Sequence, residues 1–157
     1  MRDVSEALRA FREEVAILSD LAAAADLLSW DQDTYMPPGA AAGRGEQVAT
    51  LHALRHARLT DPAYTALLDE LEASGLDPAG SDHAMLREAR RVARRAGRMP
   101  RRLVEELARR TASARVAWAS ARGEDRFDLF APELAAVLEL KREEADAIGG
   151  DQPGGRR

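Results

Sequence analysis

From Val4 onward, apolar residues return every three or four positions: Val4, Leu8, Phe11, Val15, Leu18 and Ala22 fall on one stripe of a helix. This spacing constrains the chain more than any other feature. A strand alternates its faces with period two and cannot bury those residues together. A first helix of roughly 40 Å is predicted from the rise per residue, with Glu13, Glu14 and Asp20 off the stripe and facing water. Asp3 followed by Glu6 has the form of an N-cap with its box partner. Pro37-Pro38 ends the helix, because the residue before a proline is pushed out of the α region.

The same logic divides the rest. Gly39 restarts a helix with Val48, Leu51, Leu54 and Leu59 as its buried side, weakened by Gly43 and Gly45 by about 1 kcal/mol each relative to alanine. Thr60-Asp61-Pro62 opens a third, a capping side chain followed by proline in the first turn, carrying Tyr64, Leu67, Leu68 and Leu71 and stopped by Gly75. Leu76 to Gly80 is a loop, after which Ser81 or Asp82 caps a fourth helix with Met85, Ala89, Val92 and Ala96 on one stripe. Met99-Pro100 breaks it, and a fifth runs through Leu103, Leu107, Ala114 and Trp118 to Gly123. A polar turn and the pair Phe127 and Phe130 precede a last helix opened by Pro132, through Leu134, Val137, Leu138, Leu140, Ala145 and Ile148, and closed by Gly149-Gly150. No strand signal competes, and no fixed-period repeat is present. The expectation is one all-α domain over 1–148, about six amphipathic helices packed antiparallel in a bundle, with a disordered Gly/Arg tail over 149–157.

Composition narrows the function classes. Aromatic residues make up 4% of the chain, so the core is built from Ala, Leu and Val. With no cysteine, disulfides, thiolate metal sites and cysteine nucleophiles are excluded, which suits a reducing cytoplasm. The start, Met1-Arg2-Asp3-Val4-Ser5-Glu6, shows no apolar signal region, and the longest apolar run, Leu21 to Ala25, is too short to span a bilayer. A net charge of −4 supplies no overall basic field for nucleic acid.

Few constellations carry chemistry. His52 and His56 stand four apart on one helix, the spacing at which two imidazoles grip a zinc ion. Ala53 stands where a zinc peptidase needs glutamate to deprotonate the metal-bound water, Arg55 disfavours a cation, and the only other histidine is His83. Two partly exposed helix histidines are the simpler reading. Asp31, Asp33 and Tyr35 begin like a calcium loop, but Met36 replaces the required glycine and Ala42 the bidentate glutamate. Gly43-Arg44-Gly45 has no strand before it and is no phosphate cradle. Glu13-Glu14, Glu105-Glu106 and Glu143-Glu144 are adjacent pairs that point in different helix directions. No serine or threonine has a matching His and Asp.

The unusual charge feature is a run of arginines: Arg87, Arg90, Arg91, Arg94, Arg95, Arg98, Arg101 and Arg102, with Glu88 the one acid among them. It forms a cationic face that either binds an anionic partner or docks on this chain's own acidic helix bearing Glu133, Glu139, Glu143 and Glu144. Without an aromatic platform, and with an acidic total, nucleic acid is the weaker reading.

The stretch around the first break is the most specific. Ser29-Trp30-Asp31-Gln32, Tyr35-Met36-Pro37-Pro38-Gly39, Arg44, Glu46-Gln47 to Leu51 and His56 resemble the N-terminal region of the carboxypeptidase Taq family. Leu86-Arg87-Glu88-Ala89, Pro100, the Leu103 to Trp118 helix, Phe127 to Phe130 and Leu140-Lys141-Arg142-Glu143 are similar to its continuation. The resemblance implies a helical subdomain beside the cleft of a zinc-dependent metallocarboxypeptidase that removes residues from peptide C-termini. The family's His-Glu-x-x-His zinc motif does not occur here, so no catalytic, cofactor-binding or metal-binding residue is assigned, and zinc is implied for the complete enzymes alone. A chain of this kind is expected to be inactive by itself, to expose apolar surface, and to meet a second copy or a complementary catalytic chain. The alternative is a stand-alone helical oligomerisation or interaction module.

Overall fold

The computed structural model describes residues 3–37 and 39–149, and among them every regular element is an α-helix. These are α1 (Val4–Thr34), α2 (Ala41–Leu59), α3 (Pro62–Ala73), α4 (Ser81–Arg98), α5 (Arg101–Gly123) and α6 (Phe127–Ile148). The tail expected to be disordered lies, apart from Gly149, outside the described residues.

Helix α1 is 31 residues long, about 46 Å, and α2 folds back along it. Arg58 pairs with Glu14, Arg55 donates to the Leu18 carbonyl, and Arg44 donates to the Leu28 carbonyl, an antiparallel register. α5 lies antiparallel on the other side of α2, with Arg109 on Glu46. α6 returns antiparallel along α5, Arg110 meeting Glu133 near one end and Arg102 meeting Glu143 near the other. The order in space is therefore α1, α2, α5, α6. The pair α3 and α4 covers the first half of α1.

The core is concentrated under that pair. Ala7, Phe11 and Leu18 of α1 meet Leu59, Tyr64, Leu68, Leu71 and Leu86, with Ala89, Ala93 and Ala96 closing the α4 side. Phe11, Leu68 and Leu103 are fully buried. The α2–α5 seam is different, made of small residues: Gly45, Val48, Ala49 and Ala53 on α2 and Ala112 on α5 are buried. A Cβ on Gly45 would stand 3.2 Å from that of Ala112, so glycine is what lets these helices approach.

Several local expectations change. The last helix begins at Phe127, with Pro132 inside it instead of opening it. As the sixth residue, Pro132 forfeits one backbone bond, the one its N–H would make to the Asp128 carbonyl. The first turn has other support, from an Arg126–Asp128 ion pair at 2.6 Å and an edge-on Phe127–Phe130 contact with centroids 6.3 Å apart. At α4 the N-cap is Gly80, with no side-chain cap, because the Asp82 carboxylate is held by Arg12 at 2.8 Å. Asp3 is the N-cap of α1, but its carboxylate accepts from the Ser5 hydroxyl and no box forms. Asp61 caps α3 as expected, accepting from the Ala63 N–H at 2.7 Å behind Pro62. Gly75, at φ 73°, makes the left-handed turn that ends it.

The buried stripes also rotate. On α1 the buried set is Ala7, Phe11, Leu18 and Ala25, and Val4 is exposed. On α2 Leu54 is exposed while Ala53 is buried, on α4 Leu86 and Ala93 replace Met85, and on α5 Trp118 is 47% exposed while Ala112 and Ala121 are buried. Where helices approach closely, alanine takes the seam and the larger residues are displaced to its rim.

Candidate functional site

The end of α1 is fastened at several points. Asp31 and Arg44 form an ion pair at 2.6 Å with side chains only 32% and 16% exposed, and Arg44 also donates to the Leu28 carbonyl at 3.3 Å. Gln32 donates to the Ala112 carbonyl of α5 at 2.9 Å, and Arg115 reaches both Asp33, at 3.1 Å, and the Ser29 carbonyl. Asp31, Gln32 and Arg44 thus lock the corner where α1, α2 and α5 meet, and the contacts spread a charge-assisted network across three helices. Sequence spacing alone does not pair Asp31 with Arg44. The signal available was an acid before the proline break and an arginine after it.

Beside that corner the surface is apolar. Trp30 and Tyr35 pack edge to face with centroids 5.6 Å apart, yet stay 54% and 76% exposed. Leu27, Val116, Trp118, Phe127 and Leu129 are also exposed. Arg115 bridges α5 to the end of α1, and α6 starts just past the end of α5, so these residues gather at one end of the bundle. Arg122 lies 5.5 Å from the Trp118 ring.

The histidines are not brought together on a ligand. His56 points its Nε2 at the Met99 carbonyl, 2.8 Å, and the Ala96 carbonyl, 3.1 Å. Carbonyls only accept, so Nε2 carries the proton and caps the end of α4. His52 stands one turn away with part of its ring open to solvent. Burial of the rest, aided by Arg55 and opposed by Asp26, holds its pKa below the usual imidazole value. His83 is on α4, its Nδ1 buried and without a partner among the described residues. Among those residues no three His, Asp or Glu side chains converge in the manner of a metal site. Of the one pair at ligand spacing, His56 already donates Nε2–H to backbone carbonyls, which withdraws that nitrogen from a metal ion.

The arginine run divides by partner. Arg90 sits between Asp69 and Glu72 of α3, its side chain 12% exposed. Arg95 reaches Glu144, Arg102 reaches Glu143, and Arg98 donates to the Ile148 carbonyl, tying α4 and the start of α5 to α6. Arg101 pairs with Glu105 and Arg91 with Glu88 along their own helices. Docking on acids of this chain accounts for much of the cluster, Glu143 and Glu144 among them. No helix among the described residues is long and apolar enough to cross a membrane.

A six-helix bundle with a proline-broken first hairpin is a piece of a helical peptidase fold, as comparison with solved structures shows. The chain superposes on the BsuCP crystal structure with a TM-score of 0.87 at 21% identity, over 94% of this chain and 30% of that one. It superposes on Trypanosoma cruzi metallocarboxypeptidase 1 with a TM-score of 0.65 at 29% identity, over 92% and 29%. In sequence, residues 10–154 match the family described as carboxypeptidase Taq (M32) metallopeptidase, and the chain belongs to that family. It is 36% identical over 140 residues to thermostable carboxypeptidase 1 of Thermus thermophilus, covering 88% of this chain and 27% of that protein. With the Pyrococcus furiosus thermostable carboxypeptidase 1 it shares 27% over 130 residues, covering 82% and 26%. The chain therefore spans about a quarter of the length of these relatives.

Proposed function

We propose that this chain is the N-terminal helical part of a metallocarboxypeptidase, a scaffold that walls one side of the cleft in the complete enzyme and is inactive alone. In that reading the family reaction is zinc-dependent release of C-terminal amino acids from peptides, with the zinc supplied by other segments and the setting cytoplasmic. The observation that carries it is the use made of the family-like residues. Asp31, Gln32, Arg44 and His56 are all engaged in fastening helices to one another, which leaves none of them to activate water. The uncovered end bearing Trp30, Tyr35 and Trp118 supports the companion idea that further polypeptide packs there.

The test is a peptide-release assay on the purified chain with added zinc, alongside metal analysis after dialysis. No release of C-terminal residues and no stoichiometric zinc are expected. Release that a chelator abolishes would overturn the proposal. The same exposed end favours a second reading, a self-associating helical module. Light scattering bears on it: a monomer retires the module, whereas a stable dimer with blue-shifted tryptophan fluorescence is expected of either reading.

A further inference from the structure

One row of arginines is only partly explained by the docking of α4 on its neighbours. Arg87, Arg91, Arg94 and Arg98 are spaced four, three and four apart, so they line one face of α4 over about 16 Å. Arg98 is held by the Ile148 carbonyl at the far end. Arg87 and Arg94 form no ion pair among the described residues. Arg91 is paired only with Glu88 on its own helix, with the two side chains 64% and 60% exposed, the sort of contact that solvent makes weak.

This row borders an open groove of about 810 Å³ between the end of α3, α4 and the end of α6, well within the size of ligand clefts. Its floor is aliphatic, with Leu76, Leu86 and Ile148, and of its lining arginines Arg90, Arg91 and Arg95 are paired with Asp69, Glu72, Glu88 and Glu144, which leaves Arg87 and Arg94 without a carboxylate among the described residues. A surplus of cations over an apolar floor selects a ligand that is both acidic and aliphatic.

We propose that the groove binds an acidic, extended segment of another polypeptide, with carboxylates on the Arg87–Arg91–Arg94 row and aliphatic side chains against Leu76 and Ile148. Alternate residues of an extended chain stand about 6.6 Å apart on one face. Successive arginines on the row are about 5–6 Å apart, a difference that flexible guanidinium arms absorb. Carboxylate and guanidinium also match as planar forks, which favours two-point pairing. Nucleic acid fits less well: no Phe, Tyr or Trp among the described residues lines the groove to stack a base, and the chain carries a net charge of −4. The inference stands apart from the family reading, since it uses none of the residues of the α1–α2 corner.

Fluorescence anisotropy with a fluorescein-labelled peptide of alternating Glu and Leu tests it on the intact chain. Saturable binding is expected, at least tenfold weaker for a Gln-Leu counterpart, severalfold weaker for a Glu-Ser counterpart, and weakened by added salt. The double change Arg87→Glu and Arg94→Glu breaks no ion pair, so helical circular dichroism stays the same while affinity falls at least tenfold. Absence of saturable binding at low salt overturns the proposal, as does unchanged affinity in the double variant. A single-stranded oligonucleotide binding as tightly as the acidic peptide overturns the choice of partner.

Discussion

Adding side chains to the two helical glycines of α2 separates helix propensity from packing. Gly43 and Gly45 stand two residues apart, yet a Cβ on Gly43 meets nothing within 4 Å, whereas one on Gly45 stands 3.2 Å from the Ala112 Cβ and 3.8 Å from the Arg109 Cα. Carbon atoms rest comfortably at about 3.5–4.0 Å, so Gly45→Ala makes α2 and α5 separate by a few tenths of an ångström. Gly43→Ala gains about 0.5–1 kcal/mol from restricting the unfolded chain. For a chain of this size that raises the melting temperature by about 1.5–3 °C. Gly45→Ala has the same gain offset by the tight contact and moves the midpoint little. Gly45→Leu overpacks the seam and costs about 1–3 kcal/mol, a fall of about 3–9 °C. Far-UV circular dichroism melts and urea titrations at one pH read all of these. A Gly45→Leu variant melting at or above the parent would refute the close α2–α5 approach.

Replacing Arg44 with Met leaves the half-covered Asp31 carboxylate without its partner and costs about 1–3 kcal/mol; an unchanged urea midpoint would remove the corner as a structural element. His56→Ala deprives the Met99 and Ala96 carbonyls of their donor at a cost of about 1–2 kcal/mol. Its mark is faster amide exchange at the end of α4, and uniform exchange across the bundle would contradict the capping role. The lowered pKa of His52 makes the folded chain reluctant to take up a proton, so its contribution is present above the ordinary imidazole value of 6.5 and is lost as pH falls through the folded value. His52→Gln therefore flattens the decline in stability between pH 7.5 and the folded-state pKa, and parallel pH profiles would show the ring is not covered. Glu144, lowered from 4.5 by Lys141 first and Arg95 with it, adds stability above pH 4.5 that disappears as pH falls through its folded value. Glu144→Gln weakens the pH dependence in that acidic range, which urea titrations at successive pH values will detect.

Much of the fold was legible before any coordinates. The proline pair at the first break, Asp61 with Pro62, Gly75 and Met99-Pro100 each act on their nearest neighbours, and each helix end they marked lies within a few residues of the observed one. Pro132 misled because a proline near a helix start costs only one hydrogen bond, and local aromatic and ionic contacts sustain the turn before it. The candidate site was legible as a family-like stretch but not as a set of contacts. Gln32 finds its acceptor on Ala112, His56 on Met99, and Arg44 its anion on Asp31 across the break, and sequence spacing encodes none of those pairings.

The amino-acid sequence alone thus determined that the chain is helical, where its helices break and which family it resembles, because periodicity, capping and proline sterics are short-range. Tertiary structure decided which face of each helix is buried, why alanine and not tryptophan occupies the α5 seam, and how the arginines divide between internal anions and an open groove. Those outcomes depend on the distance between helix axes and on partners dozens of residues away, and both exist only once the helices have packed.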